Sequence, residues 1–252
     1  MQRESPLSIP RAFDINASTT SAQDRACRCG RAGCKILRSA GDTPATTTAF
    51  SLVELLVVIA IIIILAGLIL STMGYVRKKG ARARAETDIA AISAACESYK
   101  ADNGIYPRDP TLNTSTDVLD ARTMGDPVTT NAAAYKAASL VLYRALSGDR
   151  NLDRAVSATD QNFNIDGTTL TPALTALPKA YFGFKPNQLS PSDQTLQVEF
   201  IRDPFGNSYG YSTANQAAAA NGYNPTFDLW STSGLTTTPP TNTITPQWIK
   251  NW

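Results

Sequence analysis

Thr48-Ala49-Phe50-Ser51-Leu52-Val53-Glu54, followed at once by Leu55-Leu56-Val57-Val58-Ile59-Ala60 and an apolar run to Leu70, decides the fold. From Phe50 to Leu70 the chain has 21 residues, and Glu54 is their only charge. Wound as an α-helix this stretch is about 30 Å long, enough to cross the hydrocarbon core of a bilayer. An ionised side chain near hydrocarbon costs on the order of a few kcal/mol, so it marks a partner or a function. Hydrophobicity alone leaves an ordinary uncleaved single-pass anchor open. A secretory signal peptide fits less well, because the run exceeds the roughly 7–15 apolar residues usual there and no A-x-A site follows it.

The helical pattern does not stop at the apolar run. Val76, Ile89, Ile92, Cys96 and Tyr99 continue it with charged residues between them, which predicts an amphipathic half. Asn103-Gly104 supplies the stop, since both residues tolerate the left-handed conformation that ends helices. The whole helix then runs to roughly 50 residues, far beyond the usual globular length. Beyond it, residues 108–130 read as loop, and Asn131 is placed to cap a helix over 132–147 that Gly148 closes. Tyr135, Ala138, Leu142 and Leu146 form one face of that helix.

From Lys179 onward lie 12 of the 20 aromatic residues, which puts the completion of the core there. Thr195 to Arg202 alternates as a strand with Leu196, Val198 and Phe200 on one face, Asp203 to Asn207 is turn chemistry, and Ser208 to Ser212 returns as the hairpin partner. Phe227 to Ser231 makes a third short strand.

Composition narrows the function. The chain has no histidine, which removes the commonest general base near neutral pH and the commonest metal ligand. No nucleophile elbow or phosphate loop is present either, so the reading is not an enzyme, with no catalytic residues and no cofactor. The net charge is +2. Residues 1–49 hold seven Lys/Arg against four Asp/Glu and the rest sixteen against seventeen, so no basic surface of nucleic-acid type is expected. Cys27, Cys29 and Cys34 precede the apolar run and Cys96 alone follows it. The first three lack the fourth ligand of a structural zinc site, and Cys96 is expected to pack as a small apolar residue.

The opening stretch resembles the leader and mature N-terminus of type IV prepilins and type II secretion pseudopilins, in which a small residue precedes the cleavage point and Glu follows four residues after Phe. The resemblance implies a leader over 1–49, cleavage between Ala49 and Phe50, methylation of the new Phe50 amine, and Glu54 as the assembly residue. Ala49 stands where that family normally has Gly. Three further matches lie in order downstream: Tyr99-Lys100-Ala101-Asp102-Asn103-Gly104-Ile105-Tyr106-Pro107, Asp203-Pro204-Phe205-Gly206-Asn207-Ser208-Tyr209, and Phe227-Asp228-Leu229-Trp230-Ser231-Thr232-Ser233-Gly234. These resemble the helix exit, turn and closing motifs of major pseudopilins.

The implied fold is α+β and pilin-like, a long N-terminal helix packed on a small antiparallel sheet. Its parts are a transmembrane and filament-core segment over 50–74, an amphipathic continuation over 75–104, and a head over 105–252 with a helical insert near 131–148. The implied partners are a prepilin peptidase/methyltransferase, other pilin or pseudopilin subunits and an inner-membrane assembly platform, with no nucleic acid. The head would sit in the periplasm of a bacterium, anchored by one pass. Charge alone predicts the opposite orientation, because Arg77, Lys78, Lys79, Arg82 and Arg84 follow the span while Asp42 is the only charge in residues 39–49. Major pseudopilins often hold calcium after the last motif; here Gly234 to Pro240 carries no acidic side chain, so calcium, which wants carboxylate oxygens, is not expected. Asp228 is the one nearby residue that could serve as a ligand.

Overall fold

A single helix, α1 (Leu52–Asn103), carries the chain from the apolar run into the folded head. The computed structural model describes residues 50–109, 115–235 and 247–252. The expected leader with Ala49 and its three cysteines, and nearly all of the Gly234 to Pro240 loop, lie outside the described residues. Leu52–Trp252 forms one compact unit, which holds every element named below.

α1 passes through Gly67 and Gly74 without interruption. In this stretch Ser71 and Thr72 turn their hydroxyls back to the carbonyls of Leu68 and Ile69, at 2.8 and 3.1 Å, so neither is left unsatisfied. The helix ends where the sequence places its stop. Gly104 adopts φ +77° and its N–H donates to Lys100 O at 2.7 Å, the conformation that only a residue without Cβ enters freely.

The head completes an α+β pilin-like fold. α2 (Ser115–Val118) and α3 (Ala132–Ser147) follow α1, then β1 (Leu189–Ser190), β2 (Phe200–Ile201), β3 (Gly210–Ser212), α4 (Ala214–Ala217), β4 (Asp228–Ser231) and β5 (Ile249–Lys250). β1 and β2 pair antiparallel, and β3, β4 and β5 form a second antiparallel sheet in that order. The main core gathers Ile89, Ile92 and Cys96 of α1, Leu142 and Leu146 of α3, and Ile201, Tyr211 and Leu229 from the strands. A second cluster joins Leu119, Tyr135 and Ala138 to Trp230 and Trp248.

Several expectations are corrected. Val76 is exposed, and the buried stripe of α1 begins at Ala85. The strand over 195–202 shrinks to Phe200–Ile201, with Ile201 fully buried and Leu196 exposed; the chain turns at Gln194 to Leu196, and Val198 N–H donates to Leu152 O outside any strand pair. Ser208 bridges Arg202, but Gly210–Ser212 leaves that hairpin and pairs with β4 instead. Asn131 sits at the start of α3 without a side-chain capping bond. The Asp126 carboxylate serves the preceding turn, accepting the N–H groups of Val128 and Thr129 at 2.9 and 3.1 Å.

Candidate functional site

All of α1 from Leu52 to Gly80 is exposed. The segment contains the one helix among the described residues that is long and apolar enough to cross a membrane, with a mean hydropathy of 3.2 in its best window. Such a surface has no place in water, because each buried apolar side chain gains about 1.5–3 kcal/mol over an exposed one. It requires lipid or other protein. Phe50 lies ahead of the helix and is 80% exposed. Glu54 occupies the first turn of α1, where the partial positive charge of the helix terminus favours a carboxylate by up to about 1 kcal/mol at an exposed site. Among the described residues Glu54 has no hydrogen bond or ion pair within the chain.

The upper half of α1 is fixed to the head by polar contacts as well as by its buried stripe. Asp88 accepts from Gln188 Nε2 at 2.8 Å and from Tyr209 OH at 3.2 Å. At the helix exit Tyr106 OH donates to Glu97 at 3.0 Å, and Lys100 Nζ lies 4.3 Å above the Tyr106 ring. Tyr211 OH donates to Pro107 O at 2.6 Å, and Lys179 pairs with Asp102. Cys96 is buried and free. Burial first, and the Glu97 charge second, push its thiol well above the usual range, which keeps it protonated and inert.

The two head motifs are built around carboxylates turned inward. Asp203 accepts the N–H groups of Phe205 and Asn207, at 3.0 and 2.8 Å, and the hydroxyl of Ser231 at 2.6 Å. Burial raises its pKa against these bonds. Asp228 accepts from the N–H groups of Tyr223 and Asn224 at 2.7 and 2.9 Å, and burial raises it likewise. Both carboxylates thus hold loops to β4. Earlier in the chain, Asp149, Asn151, Asp153 and Asp160 have the spacing of a calcium loop. The Asp160 oxygens accept from the N–H groups of Arg150, Asn151 and Ser157, at 2.6, 2.9 and 2.7 Å. Among the described residues no three His, Cys, Asp or Glu side chains converge as a metal site.

Sequence reasoning missed Asp88 and Gln188, and the bond that joins Tyr209 of the turn motif to Asp88. Asp88 precedes Ile89 and reads as part of a solvated helix face; only the return of the 185–188 loop beside α1 turns it inward. The C-terminal strand β5 was missed too, although Trp248-Ile249-Lys250 carries a large apolar pair beside it.

A comparison with curated proteins finds similarity to the Type II secretion system core protein G of Vibrio cholerae serotype O1, 38% identical over 60 residues. Those residues are 24% of this chain and 41% of that protein, so the chain spans about two fifths of that relative's length. No protein-family model matches the chain, and no solved structure does. In this part of its length the chain is similar to a pseudopilin.

Proposed function

We propose that this chain is a structural subunit of a type II secretion pseudopilus or a related type IV pilus-like filament, assembled through the exposed half of α1. The observation that carries the reading is a fully exposed apolar stalk, with one carboxylate in its first turn, running as one helix into a folded head. A prepilin peptidase/methyltransferase cleaves between Ala49 and Phe50 and methylates the new amine. The Phe50 ammonium of one subunit then meets the Glu54 carboxylate of a neighbour, so that neither charge stays unpaired in an apolar filament core. An inner-membrane platform presents the subunits, and the head faces the periplasm. The similarity to the Vibrio cholerae protein supports the secretion assignment.

The test is Glu54→Ala in cells with the assembly machinery. Membrane insertion and head folding are expected to be unchanged, and sheared filaments are expected to lack the variant. Normal filament yield from it would sink the assembly role. The alternative, an uncleaved single-pass membrane-anchored extracytoplasmic binding module, draws support from Ala49. Mass spectrometry of the membrane-bound protein separates the two: an N-terminal methyl-Phe50 peptide is expected, and an intact Ala49–Phe50 bond would favour the anchor.

A further inference from the structure

We infer that the foot of the head is a binding groove for the head group of an anionic phospholipid in the membrane that α1 crosses. A groove of about 1040 Å³ runs between α1 and the two loops 185–188 and 202–204. Its cations are Arg77 and Arg84 from the helix and Lys185 and Arg202 from the loops. None of the four makes an ion pair among the described residues.

The groove's carboxylates are otherwise engaged. Asp88 is held by Gln188 and Tyr209, and Asp203 by Ser231 and its own turn. Lys78 and Lys79 follow Arg77 on the helix, and Arg82 is paired with Glu86. Four cations from three segments of chain therefore line one groove with two carboxylates that are held by neutral donors, a formal excess of two positive charges.

The position of the groove selects the occupant. A charge is costly in hydrocarbon, and Arg77 is the first one after the membrane segment over 50–74, about 5 Å beyond its end along the helix. That seating puts Val76 and Arg77, at one end of the groove, at the level of the lipid phosphates. Arg84 follows about 10 Å farther out along the same helix, and long basic side chains bend back toward the interface. Each basic residue near an anionic surface is worth roughly a fivefold gain in association. The basic residues that run against the orientation implied by the resemblance thus have a use in the extracytoplasmic leaflet. The inference rests on α1 crossing a membrane and not on filament assembly, so it can fail while the Glu54 role stands, and the reverse.

The test uses the full chain in micelles containing equal amounts of phosphatidylglycerol and phosphatidylcholine, with bound lipid counted by native mass spectrometry. Wild type is expected to enrich phosphatidylglycerol, and Lys185→Glu with Arg202→Glu to reduce that enrichment about tenfold or more. Near-ultraviolet circular dichroism checks the fold, and the neutral pair Lys185→Gln with Arg202→Gln replaces the first if it unfolds. Equal enrichment in wild type and variant would overturn the groove, leaving the helix lysines as a diffuse collar. Absence of enrichment would overturn it too, as would displacement of the lipid by millimolar inorganic phosphate, which would mark a soluble-anion site. Loss of enrichment when the chain dimerises through these four residues would assign the groove to a second copy instead.

Discussion

Gly210 shows how closely one residue can be specified without conformational strain. A Cβ built there would lie 2.2 to 2.6 Å from the Trp230 indole, which is fully buried and donates from Nε1 to Tyr135 OH at 2.9 Å. The ring cannot yield, because Tyr135 and Trp248 pack against it. Gly210→Ala is therefore expected to destabilise the head by about 1–3 kcal/mol or more, read as a lowered urea midpoint of tryptophan fluorescence.

Asp126 gives a pH signature of the opposite kind from Asp203. Burial pushes its carboxyl up, but the Thr129 hydroxyl and the N–H groups of Val128, Thr129 and Thr130 outweigh that and hold it at about 2. A pKa below the unfolded value means stability that is present above about pH 4 and lost as pH falls toward 2. Asp126→Asn should thus lower the urea midpoint at pH 6, and the difference from wild type should vanish by about pH 2. Asp203, raised by burial, has the reverse sign: its contribution is fully present below the unfolded pKa and is lost as pH rises through the folded one. The sequence marked Asp203 as a turn residue, but nothing in a one-dimensional pattern tells Asp126 apart from the other loop carboxylates.

α1 is one helix with two solvents. Its upper half buries Ala85, Ile89, Ile92, Cys96 and Tyr99 against the head, while Leu52 to Gly80 is exposed throughout. The change from uniform apolarity to spaced apolarity made this division legible, and the misplaced residue was Val76, because a periodicity continues through a boundary that only packing can set. Ile92→Ala is expected to lower head stability by about 2–5 kcal/mol, measured by denaturant unfolding of the full chain in detergent. Ile62→Ala, in the exposed half, should leave that midpoint unchanged and reduce filament yield instead. Equal effects of the two on head stability would contradict the division. The strands were less legible than the helices. β1, β2 and β5 are two residues each, too short to generate alternation, and their pairing depends on the path of the irregular segments that join them to their partners.

The chain as a whole joins a membrane-length stalk to a head whose interior is closed by aromatic residues from its last third. The proposed processing step would act on this whole, since a free Phe50 amine would exist only after cleavage at Ala49. Ala49→Phe, too bulky for a peptidase that accepts very small residues, is expected to leave a membrane-inserted full-length chain and no filament. Immunoblotting of membrane and sheared fractions checks this, and filaments built from the uncleaved chain would refute the proposed order of events.

By itself the sequence determined the long helix, its stop at Asn103-Gly104, the α3 segment closed by Gly148 and the carboxylate placed in an apolar run. Each follows from local rules of periodicity, backbone freedom and solvation that a short window contains. The tertiary structure alone decided where the buried stripe of α1 begins, which strands pair, why Asp88 turns inward, and that Arg77, Arg84, Lys185 and Arg202 share one groove. Those facts depend on segments from ten to more than a hundred residues apart meeting in space, and no local propensity records which surfaces will meet.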